Sequence, residues 1–330
     1  MDILQSPLNT LKLKLHNRLV MPPMLTAKAS EEGFVTDAII QYYDKKSEGG
    51  CIGLVITEHC YIMPQGKTNP FQLSVADDCM VNGWKQLADV IHKNGSKAAM
   101  EISHAGSAAE NEGLGLVGPS ALPHPQKRKV PKALTQAQID EIVEAFRLAA
   151  GRVKAAGFDA VEIHSAHGYL LNQFYSPLTN QRTDQYGGSL ENRIRIHMDI
   201  IREIRRTVGE DYPLLLRLGG CDYMKGGSTL SDGVQAAVAF EKVGVDILDI
   251  SGGHCGFNNP LSNEPGYFSD MTLAVKPHVA VPVILTGGIT TPEQAEALLE
   301  KGAADLIGVG RGLLRDNGWA CRAVKAEGYV

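Results

Sequence analysis

Within six residues, His164-Ser165-Ala166-His167-Gly168-Tyr169 offers two imidazoles and a phenol. Two imidazole N–H groups converging on one oxygen would polarise a carbonyl or nitro group. A phenol, with an ordinary pKa of about 10, could then supply a proton to the neighbouring carbon. Two other readings stay open at this point. The pair could be structural, or His-x-x-His could ligate zinc. A zinc site needs a third ligand, and Glu162 points to the opposite side of a strand from its neighbours in alternation. No His-x-His stands near residue 20, where a metal-dependent hydrolase barrel would want it.

A second chemical signal is Arg217, set among Leu214, Leu215, Leu216 and Leu218. A buried guanidinium is costly unless an anion or a rich set of acceptors faces it. Glu101 is the candidate carboxylate, and a bound electron-rich ligand is the other candidate. A third signal is the pair of segments Thr286-Gly287-Gly288 and Gly308-Val309-Gly310-Arg311. Glycines let backbone N–H groups approach an anion, and a forked guanidinium suits phosphate oxygens. The plainer alternative is that these glycines only make tight turns.

The elements that position these groups follow one period. Short β-branched apolar runs alternate with longer helical patterns. Strands are expected at about 18–24, 51–58, 97–103, 159–165, 213–219, 246–252, 282–288 and 304–310. One helix begins after Thr135, with Ile139, Ile142, Val143, Phe146, Ala149, Ala150 and Val153 on one face. Another opens at Pro292 behind the cap Thr291 and closes at Gly302, and a third is expected from Ser189 to about Val208 with Gly209 as its stop. Eight such units favour a closed parallel (β/α)8 TIM barrel, a single domain over 1–330, with an open doubly wound sheet as the runner-up. In such barrels the working residues sit at the C-terminal ends of the strands, and the loops after strands seven and eight are the usual phosphate site. The Gly- and Pro-rich stretch from about 104 to 134 reads as an extended loop of functional length. Its basic patch, Gln126 to Lys129, reads as solvated surface.

The chain has 330 residues, and 32 basic against 37 acidic side chains give a net charge of −5. Nucleic acid and anionic membranes therefore have no electrostatic attraction to it. No run reaches the ~18 apolar residues of a membrane span, and Met1 to Asn9 has no apolar signal core. The expectation is a soluble cytoplasmic protein. Its six cysteines fit no zinc or iron–sulfur spacing, so reduced thiols and no metal are expected.

The run from Gly157-Phe158-Asp159-Ala160-Val161-Glu162-Ile163-His164 to Tyr169-Leu170 resembles the old yellow enzyme family of FMN-dependent ene-reductases. So does the continuation from Ser176-Pro177-Leu178-Thr179-Asn180 to Ser189-Leu190-Glu191-Asn192-Arg193. The match extends from Asn17-Arg18-Leu19 to Gly310-Arg311, and the single-domain form is similar to the barrel domain of 2-enoate and 2,4-dienoyl-CoA reductases. The resemblance implies that Pro22, Pro23, Met24 and Leu25 lie along the flavin ring and that Glu101 and Arg217 face its pyrimidine edge. It implies that Gly287, Gly288, Gly310 and Arg311 hold the FMN phosphate. His164 and His167 would bind the substrate oxygen and Tyr169 would be the proton donor. In the implied cycle NADH or NADPH reduces the flavin, a hydride passes to the β-carbon of an enone, enal, enoate or similar small molecule, and Tyr169 protonates the α-carbon. A homo-oligomer is a family habit.

The chain departs from the family pattern in four places. Glu101 stands where many relatives carry Gln. An ionised Glu101 would accept but not donate, which predicts a lowered flavin potential or a charge offset by Arg217. Leu25 stands where relatives place Thr or Cys, so that tuning bond is missing unless Thr26 replaces it. Glu58 ends the second strand where a small residue is usual, crowding or charging the flavin site. The sequence ends at Val330, whereas larger relatives continue into a four-cysteine cluster, so electrons are expected directly from a nicotinamide or from an electron-donor protein. The competing readings are a flavin-dependent amine or alcohol dehydrogenase, an NAD(P)H:acceptor oxidase, a metal-dependent hydrolase, and a non-catalytic barrel subunit with a degenerate flavin pocket.

Overall fold

The eight apolar runs become eight parallel strands in a computed structural model that describes residues 2–110 and 112–325. They are β1 (Leu19–Met21), β2 (Leu54–Tyr61), β3 (Lys97–Ser103), β4 (Ala160–Ser165), β5 (Leu214–Cys221), β6 (Ile247–Gly252), β7 (Val283–Thr286) and β8 (Leu306–Gly308). Each pairs with its neighbours in sequence, and β8 returns to β1 through Ile307 opposite Leu19 and Gly308 opposite Val20. That closure makes a (β/α)8 barrel and excludes the open sheet. Met1, Asn111 and Ala326 to Val330, part of the single-domain expectation, lie outside the described residues.

Side chains alternate across a strand, so every second residue faces the barrel axis. Val20, Leu54, Ile56, Ala99, Ala160, Leu215, Ile247, Ile284 and Leu306 form one inward apolar layer, joined by Leu13 and Leu15 from the N-terminal hairpin. Two residues further along β3, β4, β5 and β6 the same alternation brings Glu101, Glu162, Arg217 and Asp249 inward. The barrel interior thus changes from aliphatic to charged in one pleat.

Helices cover the outside. Thr135 caps the helix Gln136–Ala155 with a capping box to Gln138, and Thr291 caps Pro292–Glu300 in the same way with Gln294. The helix expected from Ser189 to Val208 is two pieces, Leu190–Arg193 and Arg195–Val208. The break at Ile194 lets Arg193 turn inward, where its guanidinium donates to the carbonyls of Tyr175 and Gly188 at 2.8 Å each. The long loop after β3 carries a short parallel pair, Val117–Gly118 with Lys132–Ala133. Its basic patch closes a tight turn in which the Arg128 N–H donates to the carbonyl of His124 at 2.8 Å.

The expectation of reduced cysteines is corrected at one pair. Cys51 and Cys321 form a disulfide across 270 residues, with Cα atoms 5.0 Å apart. Cys51 precedes β2 and Cys321 lies on the C-terminal helix Trp319–Val324, and barrel closure carries both to one place. Linear spacing holds no trace of that meeting. Among the described residues no helix is long and apolar enough to cross a membrane.

Candidate active site

The charged layer is one cation against three carboxylates. Arg217 Nε lies 2.6 Å from Asp249 Oδ2, Nη1 lies 3.3 Å from Glu101 Oε1, and Nε lies 4.0 Å from Glu162 Oε1. All three acids are fully buried. Fully ionised, the group would carry a net charge of about −2 in a low-dielectric interior, which neighbouring like charges resist by raising carboxyl pKa values. Burial accordingly pushes Glu101 up to about 8 against the pull of Arg217. Burial, with Asp249 next to it, holds Glu162 well above the carboxylate range, and burial raises Asp249. Glu101 therefore enters the interior as a neutral acid that can donate. Sequence reasoning named Glu101 as the partner of Arg217; Asp249 is nearer. The signal for Asp249 was its place near the end of β6.

Above this layer β4 delivers the imidazoles. His164 is buried, and its ring centroid lies 5.2 Å from that of His167 and 4.5 Å from Tyr169, which stacks on it nearly parallel. The Ala166 N–H donates to His164 Nδ1 at 3.3 Å, leaving the ring proton on Nε2. His167 Nε2 meets the Ser251 hydroxyl at 2.7 Å. Burial holds both histidines well below their ordinary range, and for both the positive charge of Arg217 adds to the effect. They are neutral, single-proton donors at pH 7. Burial raises Tyr169 to about 12, with the Thr68 hydroxyl pulling the other way, so the phenol keeps its proton.

His167 is held at a φ of 58°, a left-handed conformation that costs a non-glycine residue energy. The next residue, Gly168, has φ 71°, and a Cβ there would lie 2.7 Å from His124 Nε2 and 2.9 Å from His254 Nδ1. Asn172 and Gln173 fasten the turn: Gly168 N–H donates to Asn172 Oδ1 at 2.8 Å, and Gln173 Nε2 donates to the Gly168 carbonyl at 2.7 Å. The strain aims His167 back toward His164.

After β1 the chain passes through Pro22, Pro23, Met24 and Leu25 outside regular secondary structure, with Leu25 exposed. Glu58 does not face this segment as a free charge. Its carboxylate accepts from the Thr26 N–H at 3.0 Å and the Thr26 hydroxyl at 2.6 Å. Glu58 thus anchors the loop after β1 and engages the Thr26 hydroxyl. Burial raises Glu58 to about 7 against those hydrogen bonds.

The far side of the mouth is glycine. A Cβ on Gly287 or Gly288 would lie 2.6 and 2.9 Å from the Tyr267 ring, and one on Gly308 would strike Thr286 Oγ1. Arg311 Nη2 donates to the Tyr267 hydroxyl at 3.0 Å. Gly287, Gly288, Gly310 and Arg311 thus meet at the adjoining ends of β7 and β8. A phosphorylated flavin fits this donor set. Gly287 and Gly288 make room for the Tyr267 ring, the Arg311 guanidinium beside it suits a phosphate, and the unpartnered buried oxygens of Glu101 suit the polar edge of a ring.

Sequence reasoning missed His59. The register of β2 shifts between Thr57 and Cys60, an extra residue that takes Glu58 and His59 out of alternation. His59 turns to the mouth, its ring centroid 6.0 Å from His164 and 5.5 Å from Tyr169. Its position at a strand end was the available signal.

Residues 4–327 match the NADH:flavin oxidoreductase / NADH oxidase family, and the chain belongs to it. The old yellow enzyme resemblance read from the β4 motif points to the same family. The chain is 42% identical over 320 residues to an NADH oxidase of Thermoanaerobacter brockii, covering 94% of this chain and 49% of that protein. It is also 42% identical over 306 residues to an NADPH dehydrogenase of Halalkalibacterium halodurans, covering 92% and 89%. Among solved structures, a 2-naphthoyl-CoA reductase complex superposes with a TM-score of 0.91 at 28% identity, over 97% of this chain and 52% of that one. Morphinone reductase in complex with tetrahydroNAD superposes with a TM-score of 0.85 at 26% identity, over 97% and 90%. The chain thus spans about half the length of some relatives and most of others.

Proposed function

We propose that the protein is an FMN-dependent oxidoreductase that takes electrons from NADH or NADPH and reduces carbon–carbon double bonds activated by a carbonyl or nitro oxygen. The observation that carries this reading is the pair of neutral imidazoles 5.2 Å apart with a protonated phenol stacked on one of them. FMN, when bound, supplies the two-electron link between nicotinamide and acceptor. Gly287, Gly288, Gly310 and Arg311 would hold its phosphate, Pro22 to Leu25 would flank its ring, and Glu101 and Arg217 would meet its polar edge. His164 and His167 donate to the acceptor oxygen and draw electron density away from the β-carbon. Tyr169 gives its proton to the α-carbon and recovers it from solvent at the mouth. The neutrality of both histidines keeps the site from protonating the acceptor outright.

The test is the visible spectrum of the purified protein, followed by anaerobic addition of NADH, then NADPH, then cyclohexenone. A flavin band that bleaches with a nicotinamide and returns with cyclohexenone is the expected result. A band that returns only with oxygen would favour the acceptor-oxidase reading, which the name of the Thermoanaerobacter brockii relative supports. Bleaching that needs an added donor protein would move the electron source away from the nicotinamide.

A further inference from the structure

Thr68, Gln72 and His59 form a hydrogen-bond chain whose direction is fixed. The Thr68 backbone N–H, which can only donate, reaches Gln72 Oε1 at 2.7 Å, and the Thr68 hydroxyl reaches the same oxygen at 3.0 Å. The other end of the buried amide is therefore the nitrogen. Gln72 Nε2 donates to the His59 carbonyl at 3.0 Å and faces His59 Nδ1 at 2.8 Å. An NH2 group obliges Nδ1 to accept, so the ring proton sits on Nε2. Among the described residues that Nε2 has no hydrogen-bond partner. The ring stands edge-on to both His164 and Tyr169, with interplanar angles of 88° and 89°. His59, His167 and Tyr169 are all half-buried, open to the mouth. Burial first, and then the charge of Arg217, lowers His59 to about 4, so it remains a neutral donor.

A carbonyl oxygen has two lone pairs. On the reading of the pocket given above, on which this inference rests, His164 and His167 fill both. A third imidazole N–H at the same mouth then has to find a different acceptor atom. We propose that His59 is a third imidazole of the acceptor pocket, donating from Nε2 to a second electron-rich oxygen. The protein would accordingly favour double bonds flanked by two carbonyls, such as cyclic imides and diones, over simple enones. Gln72 acts through His59 as a positioning residue, since it fixes the tautomer that makes the donation.

The experiment uses the flavin-loaded protein and two saturated, unreactive probes, succinimide with two carbonyls and cyclohexanone with one. Dissociation constants are measured by calorimetry for the wild type, His59→Ala and Gln72→Leu. One neutral hydrogen bond is worth about a two- to tenfold change in affinity. His59→Ala should weaken succinimide by that factor more than cyclohexanone, and Gln72→Leu should shift the ratio the same way by less. Nitrogen-15 NMR of the wild type should show His59 with its proton on Nε2 from about pH 5.5 to 8. Equal weakening of both probes, an unchanged ratio, or a proton on Nδ1 would each overturn the assignment. A wild type that binds neither probe would instead remove the reading of His164 and His167 as carbonyl donors, and this assignment with it.

Discussion

Replacing Glu101 by Gln swaps a carboxyl for an amide of the same shape in a fully buried site, and the consequence depends on pH. Glu101 Oε1 lies 3.3 Å from Arg217 Nη1, but Arg217 keeps its nearer partner Asp249 at 2.6 Å, so the substitution leaves no orphaned cation. Burial raises the folded pKa of Glu101 from 4.5 to about 8. A raised carboxyl contributes stability that is complete below the unfolded value and is lost as pH rises through the folded value. Between these limits the folded protein holds one proton more than the unfolded chain, and the loss is about 1.4 kcal/mol per pH unit. Gln does not titrate. Denaturant unfolding of wild type and Glu101→Gln at pH 5.5 and 7.5 should therefore show the variant gaining on the wild type by roughly 3 kcal/mol over those two units. A gap that stays constant would mean that Glu101 is already ionised in the folded protein, and the charge argument for the Arg217 cluster would fail. The same proton bears on the flavin: the potentials of wild type and variant should agree below about pH 8 and separate above it, because only there does Glu101 become a charge.

Four further outcomes follow from the same geometry. Tyr169→Phe should lower kcat for cyclohexenone on the order of 10²- to 10⁴-fold while nicotinamide still bleaches the flavin at the wild-type rate, since the phenol serves only proton delivery. Arg311→Ala should weaken FMN binding, followed by fluorescence, by roughly ten- to a hundredfold, the range for a hydrogen bond to a charged group. Burial holds His59, His104 and His124 down to about 4 and His197 to about 3. Each is neutral in the fold, so its contribution is complete above about pH 6.5 and lost below it at about 1.4 kcal/mol per unit. Circular dichroism should record cooperative unfolding near pH 5, and a signal intact at pH 4 would contradict this. Cys51→Ser should cost about 2–4 kcal/mol of stability under oxidising conditions. Reductant should lower the wild type to the same level and leave the variant unchanged.

The periodicity and the end signals are local, and they were legible in the sequence. Capping boxes at Thr135 and Thr291, the eight apolar runs and their glycine-rich ends depend on residues three or four apart, so the order of elements and the barrel could be read directly. The family motif around His164, His167 and Tyr169 likewise lies in one stretch of chain. What the sequence could not reveal depends on distance in the chain or on a shift of register. Asp249 meets Arg217 only because β5 and β6 pair in a register that sets those two residues side by side. The bulge in β2 turns His59 toward the mouth and Glu58 toward Thr26, and the one-residue change that does so is invisible in the alternation of apolar types. Cys51 and Cys321 look like unrelated thiols until the barrel closes. Residue type and local spacing determined which groups are present at the strand ends. Closure and register decided which of them face each other, because a charge or a proton donor acquires its chemistry from neighbours that the chain supplies from far away.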